Sequence, residues 1–346
     1  MNSAASNPAR AHWSASRLLL TLSLCVIAWA LIATACMFVG SQGQVGWPAD
    51  PFVRDFRREI VLTASLVGAA LAASGVAYQA ILRNPLADPY LLGVSSGASL
   101  AAYLWRFPFV YAIVGALPAS LAAASQQLFV FVGALVSVAI VFLLASRRGR
   151  LEPVTLLLVG VIVNSVNGAI FMLLNFVFKD ISASGGGLAF LVGAMQTTIL
   201  PEQLIAALIV ITLGFFVLMF LTAKLNVAGL STAEAASMGV RIHALRWGVL
   251  IVASLVTASA VAISGPIGFI GLVCPHLARL IVGSDHRKLM PVATALGASL
   301  LTVADAASRR LAQGDAAGTW LPVGVLTGLI GGPFFLVLLA RRRTVE

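Results

Sequence analysis

Long, unbroken apolar runs constrain this chain more than any other feature. Ten segments fit a membrane-crossing helix, at roughly 18–40, 59–82, 90–107, 127–146, 153–178, 202–223, 247–265, 267–282, 289–309 and 322–340. Crossing a bilayer takes about 20 mostly apolar residues. The runs are continuous, whereas a membrane β-barrel would show alternating segments about ten residues long. Of the 346 residues 60% are apolar and only 10% charged, with a mean hydropathy of +1.00. A soluble domain carries about 25% charged residues. The expected fold class is therefore all-α: one polytopic membrane domain over residues 1–346, with about ten transmembrane helices.

The net charge of +10 does not point to nucleic acid, because the basic residues sit at the ends of the apolar segments. With both termini cytoplasmic, fifteen of the 22 Lys and Arg fall on the inner side, as the positive-inside bias requires. An even number of spans follows. Residues 1–17 then form a cytoplasmic tail, and the first span is too long for the apolar core of a signal peptide. Cys25, Cys36 and Cys274 lie within apolar segments and form no CxxC pair, so they read as packing residues.

Three local patterns stand out. Arg83-Asn84-Pro85-Leu86-Ala87-Asp88-Pro89 separates two spans, and two prolines four apart forbid a regular helix through it. Such a turn at membrane depth must be covered by protein or water, which places Asn84 and Leu86 near an inner gate. Asn164, Ser165 and Asn167 sit in an otherwise apolar span. Intramembrane amides there either bond between helices or line a water-filled path. The longest inner loop, 224–246, holds a short helix. Ser231 and Glu234 form an S-x-x-E capping box, Ala236 and Met238 follow, and Gly239 stands at the stop position. About two turns of helix are not stable alone, so this one must dock on something. Leu188–Ile199 is too short to span and is expected to form a short helix at the outer face, after a Ser184-Gly185-Gly186-Gly187 loop.

The string RNPLADP…LLGVSSGA (83–98) resembles the signature of the FecCD-type permeases, membrane subunits of ATP-driven importers for haem, ferric siderophores and cobalamin. SGPIGFIGLVCPH (264–276), ending in Arg279, resembles a second family motif. LPVGV (321–325) with GGPFF (331–335) resembles a third. The resemblance spans roughly residues 50–340. It implies a homodimer around a central path, two ATPase subunits that bind ATP and Mg, and a periplasmic binding protein. The 224–246 loop would be the coupling element in a groove of the ATPase. Outer arginines of the family pair with acids on the binding protein, which here implicates Arg54, Arg57, Arg58 and Arg309; the bland alternative is snorkelling to lipid phosphates. The family's Arg-x-Pro-Arg at the start of the second span is not matched, since its proline falls on Glu59 and its second arginine on Ile60.

The chemistry missing from the sequence agrees. None of the three lysines, Lys179, Lys224 and Lys288, sits in a P-loop, so no nucleotide site is expected in this chain. No histidine makes a metal-ligand spacing. His276 reads as a packed or capping histidine rather than a substrate contact. No catalytic constellation is visible, so an enzyme is not expected. All twelve acids fall in loops or near segment ends, Asp305 coming closest to an exception. This disfavours an ion-coupled secondary transporter, which needs ionisable groups in the membrane. The expected function is import of an iron chelate across the bacterial inner membrane, with haem put ahead of ferric siderophore and cobalamin.

Overall fold

The computed structural model describes residues 15–40, 45–147, 150–151, 153–178, 192–195, 201–229, 232–311 and 321–343. Twelve helices run through them: α1 (Ala15–Met37), α2 (Pro51–Leu82), α3 (Val94–Trp105), α4 (Pro108–Val114), α5 (Ala119–Ala145), α6 (Pro153–Val177), α7 (Pro201–Ala228), α8 (Thr232–Ser237), α9 (Ile242–Ser264), α10 (Ile270–Val282), α11 (His286–Leu311) and α12 (Val323–Arg343). A two-residue antiparallel pairing, Ser146–Arg147 with Arg150–Leu151, links α5 to α6.

Every expected apolar segment contains a helix, but not every one has the length of a span. Among the described residues, seven helices are long and apolar enough to cross a membrane: α1, α2, α5, α6, α7, α9 and α11. The third segment yields only the 12-residue α3. Pro85 and Pro89 delay its restart until after Gly93, which turns the chain at φ 78°. α10 has 13 residues, because Gly265-Pro266 breaks the chain after α9. At 1.5 Å per residue these two helices reach only about 20 Å.

α2 is the central element, buried along nearly all of its inner length. Lipid offers helices no hydrophobic drive to associate, so close backbone approach and interhelical hydrogen bonds must hold them. A Cβ on Gly68 would lie 2.1 Å from the Gly297 carbonyl oxygen of α11, and one on Gly75 would lie 2.0 Å from that of Gly271 in α10. Ser65 bonds Thr302 of α11 (2.9 Å), Ser74 donates to the Ala253 carbonyl of α9 (3.1 Å), and Tyr78 bonds Ser254 (2.6 Å). α3 packs on α5 in the same way, through Gly97, Gly133 and Ser137. In both places small residues allow the close approach.

The second span begins earlier than expected. Asp50 accepts the Phe52 N–H at 2.9 Å and Pro51 occupies the first turn. Both are favourable for a helix start. Arg54, Arg57 and Arg58 therefore stand on the first two turns of α2, not in a loop.

Candidate functional site

At the end of the bundle that the charge count assigns to the cytosol, α7 gives way to α8 and α9. Ser231 lies outside the described residues, and with it the capping box. The stop is visible. Gly239 adopts φ 75°, and the Val240 N–H reaches back to the Ala235 carbonyl at 3.0 Å. This is the six-to-one bond of a Schellman motif, which a left-handed glycine permits. Ala235 is fully buried against its own bundle, while Glu234 and Met238 are exposed, Met238 by 60%. α8 thus anchors through one small residue and leaves Glu234 and Met238 outward. Ala236 belongs to the same helix.

Beside α8 the ends of three long helices are tied together. The Asn226 amide donates to the Asp285 carboxylate (2.8 Å), and its oxygen accepts the His286 N–H (2.9 Å). Burial acts to raise the Asp285 carboxyl. The Asn226 amide, the Arg287 N–H and the charges of Lys288 and Arg287 outweigh it, so the group titrates below its ordinary value. Arg83, the left-handed cap of α2 (φ 51°), donates from Nε to the Ala228 carbonyl at 2.8 Å. That carbonyl ends α7, where helix carbonyls lack internal partners.

The 83–93 turn is covered by protein. Asn84 and Leu86 are both 8% exposed, and the Asn84 side chain accepts the Leu86 N–H at 3.0 Å. The Asn84 side chain and the Leu86 N–H are spent on closing the turn, which is covered by protein as its depth requires. Asp88, 2% exposed, accepts the Tyr90 N–H with one carboxylate oxygen (2.9 Å) and the Phe269 N–H with the other (3.1 Å). Phe269 precedes α10 at φ 70° and brings no side-chain cap of its own. This conformation costs an L-residue about 1–2 kcal/mol. Its ring occupies the space where Gly331 of α12 has no Cβ; one placed there would meet it at 2.2 Å.

Asn164 and Asn167 act as connectors. The Asn164 amide donates to the Tyr90 carbonyl (2.7 Å), holding α6 to the turn. That of Asn167 donates to Ser96 (3.0 Å) and Ser137 (3.1 Å), joining α6 to α3 and α5. Asn167 thus bonds between helices, and Asn164 ties its helix to the turn. His276 stacks edge-on to Phe334, with ring centroids 5.6 Å apart.

At the opposite end the four arginines divide. Arg54 and Arg58 are exposed. Arg57 is 8% exposed and donates to the Met37 and Gly46 carbonyls, both at 3.0 Å. Arg309 is 2% exposed, pairs with Asp305 at 3.0 Å and donates to the Val39 carbonyl at 3.0 Å. In the single chain both guanidinium groups, Arg57 and Arg309, hold the segment that follows α1. That non-helical segment has carbonyls to satisfy, and arginine supplies several donors from one buried side chain. The Leu188–Ile199 helix expected near this end lies largely outside the described residues, as does the Ser184-Gly187 loop; residues 192–195 are non-helical.

Sequence reasoning missed Asp88, Phe269 and Gly331 as one unit. An Asp two residues before Tyr90 signals only a local turn. Its second partner is 181 residues away and leaves no sequence trace.

The fold and these sites define a polytopic helical membrane protein whose buried polar groups join helices, with an exposed short helix at one end. The chain belongs to the FecCD transport family, whose model matches residues 16–341. It is 39% identical over 284 residues to a hemin transport system permease protein of Yersinia pestis, covering 82% of this chain and 81% of that one. It is 37% identical over 303 residues to a cobalamin import system permease protein of Halobacterium salinarum, covering 86% and 76%. A solved structure described as a metal-chelate type ABC transporter in an inward-facing conformation superposes with a TM-score of 0.73 at 29% identity, covering 93% of this chain and 99% of that one.

Proposed function

We propose that this chain is the permease subunit of an ATP-driven importer that carries haem from periplasm to cytoplasm across a bacterial inner membrane. Two copies enclose the path. Two ATPase subunits bind ATP and Mg and press on α8, and a periplasmic binding protein delivers the cargo to the opposite end. The observation that carries the class is the family match over residues 16–341. Haem is put first because the hemin permease of Yersinia pestis is 39% identical over 82% of this chain.

The exposed Glu234 and Met238 of α8 support contact with a partner at that end. An amphipathic fragment of about two turns gains order by docking. At the other end, Arg54 and Arg58 are available to carboxylates, which arginine engages through two parallel bonds. Cobalamin is the competing cargo, supported by the relative from Halobacterium salinarum at 37% identity. A molybdate import permease of Haemophilus influenzae, 32% identical over 93% of this chain, widens the range of cargoes on this fold to a small oxyanion. The test is uptake into liposomes containing this chain, its ATPase and its binding protein. Haem, a ferric siderophore, cobalamin and molybdate are offered separately. ATP-dependent accumulation of haem alone is expected. Accumulation of another cargo instead would replace the haem reading and keep the importer.

A further inference from the structure

Among the described residues, two non-glycine residues adopt positive φ, Arg83 and Phe269. They stand in two separate breaks, the α2–α3 turn and the α9–α10 junction, and Asp88 joins those breaks through its bond to the Phe269 N–H. Strained backbone persists where surroundings over-determine it, and is a reason to look for a moving part.

The turn between them is stiff. Pro85 and Pro89 fix two φ angles. The Ala87 N–H bonds the Asn84 carbonyl at 3.1 Å, and the side chains of Asn84 and Asp88 each close a turn on the residue two ahead. A stiff turn hands on displacement instead of absorbing it. Its first residue, Arg83, grips the Ala228 carbonyl at the last residue of α7. α8 begins four residues later, at Thr232. Its far end, Asp88, supplies from another part of the chain the cap that α10 lacks locally. The Pro89 ring packs on Gly271 in the first turn of the same helix, where a Cβ would lie 2.8 Å from it. The start of α10 and the 83–90 turn therefore cannot shift independently.

We propose that this turn is a mechanical relay. Movement of the α7–α8 junction is taken up by Arg83, and Asp88 passes it to the strained Phe269, which seats or unseats its ring on Gly331 of α12. Asp88 is a positioning residue, acting on α10 and not on cargo. The relay rests on the reading of the chain as the permease of an ATP-driven importer. It adds which internal residues link the ATPase end to the α10–α12 pair.

The test uses the assembled importer in liposomes and reads uptake per ATP hydrolysed. R83Q, D88N and the double variant are compared with the wild type. Each single change is expected to lower the ratio roughly tenfold, within the usual range of coupling between sites. The double change is expected to be no worse than either alone, because both cut one chain. Independent structural damage would instead multiply, and that result, or an unchanged ratio, overturns the relay. F269G keeps the N–H that Asp88 holds and removes both strain and ring, so it carries the test should D88N fold poorly. It too is expected to lower the ratio, and wild-type behaviour would count against the proposal. A second readout does not depend on cargo. A fluorophore at Leu280, 73% exposed on α10, is expected to respond to ATP in the wild type and not in R83Q. A response that survives in R83Q overturns the relay. A wild type that shows the Leu280 response without carrying haem counts against haem and leaves the relay supported.

Discussion

Gly75→Ala tests the packing that organises the bundle. A Cβ at Gly75 would lie 2.0 Å from the Gly271 oxygen and 2.6 Å from its carbonyl carbon, whereas ordinary contact begins at 3.4 Å. α2 and α10 must part locally by about 1.4 Å to admit it, a large shift for a close-packed interior. The atoms it meets are backbone, so no rotamer change relieves the clash. Overpacking of this kind costs about 1–3 kcal/mol, here at the upper end. The same carbonyl accepts the Gln79 amide at 3.3 Å, and losing that bond adds about 1 kcal/mol. Against this, alanine in a helix interior is favoured over glycine by about 1 kcal/mol. The net is a destabilisation of about 2–3 kcal/mol. Gly248→Ala in α9 is the control, because nothing lies within 4 Å of its Cβ position; only the propensity gain remains, and the sign reverses. Thermal unfolding of the purified protein in detergent reads both. If G75A melts at or above the wild type while G248A gives no gain, the helices are not held by this contact.

Arg309→Ala strands Asp305 in the bundle without its 3.0 Å partner and leaves the Val39 carbonyl unmet. The loss is expected to be about 3–5 kcal/mol in denaturation, as for other broken buried pairs, with Arg309→Lys intermediate. Reversing the two exposed arginines, R54E with R58E, is expected to leave unfolding unchanged and to slow binding-protein association in a salt-dependent way. Equal association rates at low salt would remove these residues from the docking surface. Gly239→Val forces a β-branched residue into φ 75°, costing about 1–2 kcal/mol and undoing the α8 stop; weaker ATPase binding in a pull-down is the expected outcome. Asp285 titrates below its ordinary value in the folded protein, so its contribution is complete above the unfolded carboxylate pKa of about 4. It is lost as pH falls through the lower folded value. The melting temperature of the wild type is expected to drop toward that of Asp285→Asn only on acidification below about pH 4, and a gap that closes nearer neutrality would count against the Asn226 tie.

The helices were legible because lipid imposes a length and a composition on any segment that crosses it, and ten apolar runs stand out without reference to partners. The Gly239 stop was equally legible, since a left-handed residue after a short helical run is a local matter. Helix starts were harder. Asp50-Pro51 is a cap followed by a favoured first residue, yet three arginines and two acids in the next nine positions look like a loop. Their charges settle at the first turns of α2 because one arginine is turned inward to carbonyls. Which arginine does this depends on where the segment after α1 ends up. Arg57 and Arg58 are neighbours in sequence and opposites in burial, since consecutive side chains on a helix point about 100° apart.

Among the described residues, two buried acids, Asp88 and Asp305, bear on what drives transport. A carboxylate in a membrane bundle is the usual mark of an ion pathway, and sequence alone placed Asp88 in a loop, where it raised no question. In the fold it is as buried as Asp305. Each is already committed: Asp305 to a guanidinium four residues on, Asp88 to backbone N–H groups from two separate breaks. An ion-coupled carrier needs a carboxylate that can exchange its partners for the ion and release them on the other side. Asp305 could do so only by leaving Arg309 uncompensated, and Asp88 only by uncapping α10 from the turn. What makes Asp88 unsuited to ion coupling is what suits it to coupling of another kind. It binds two parts of the backbone to each other, so energy supplied at one end of the bundle has a route to the other that carries no charge.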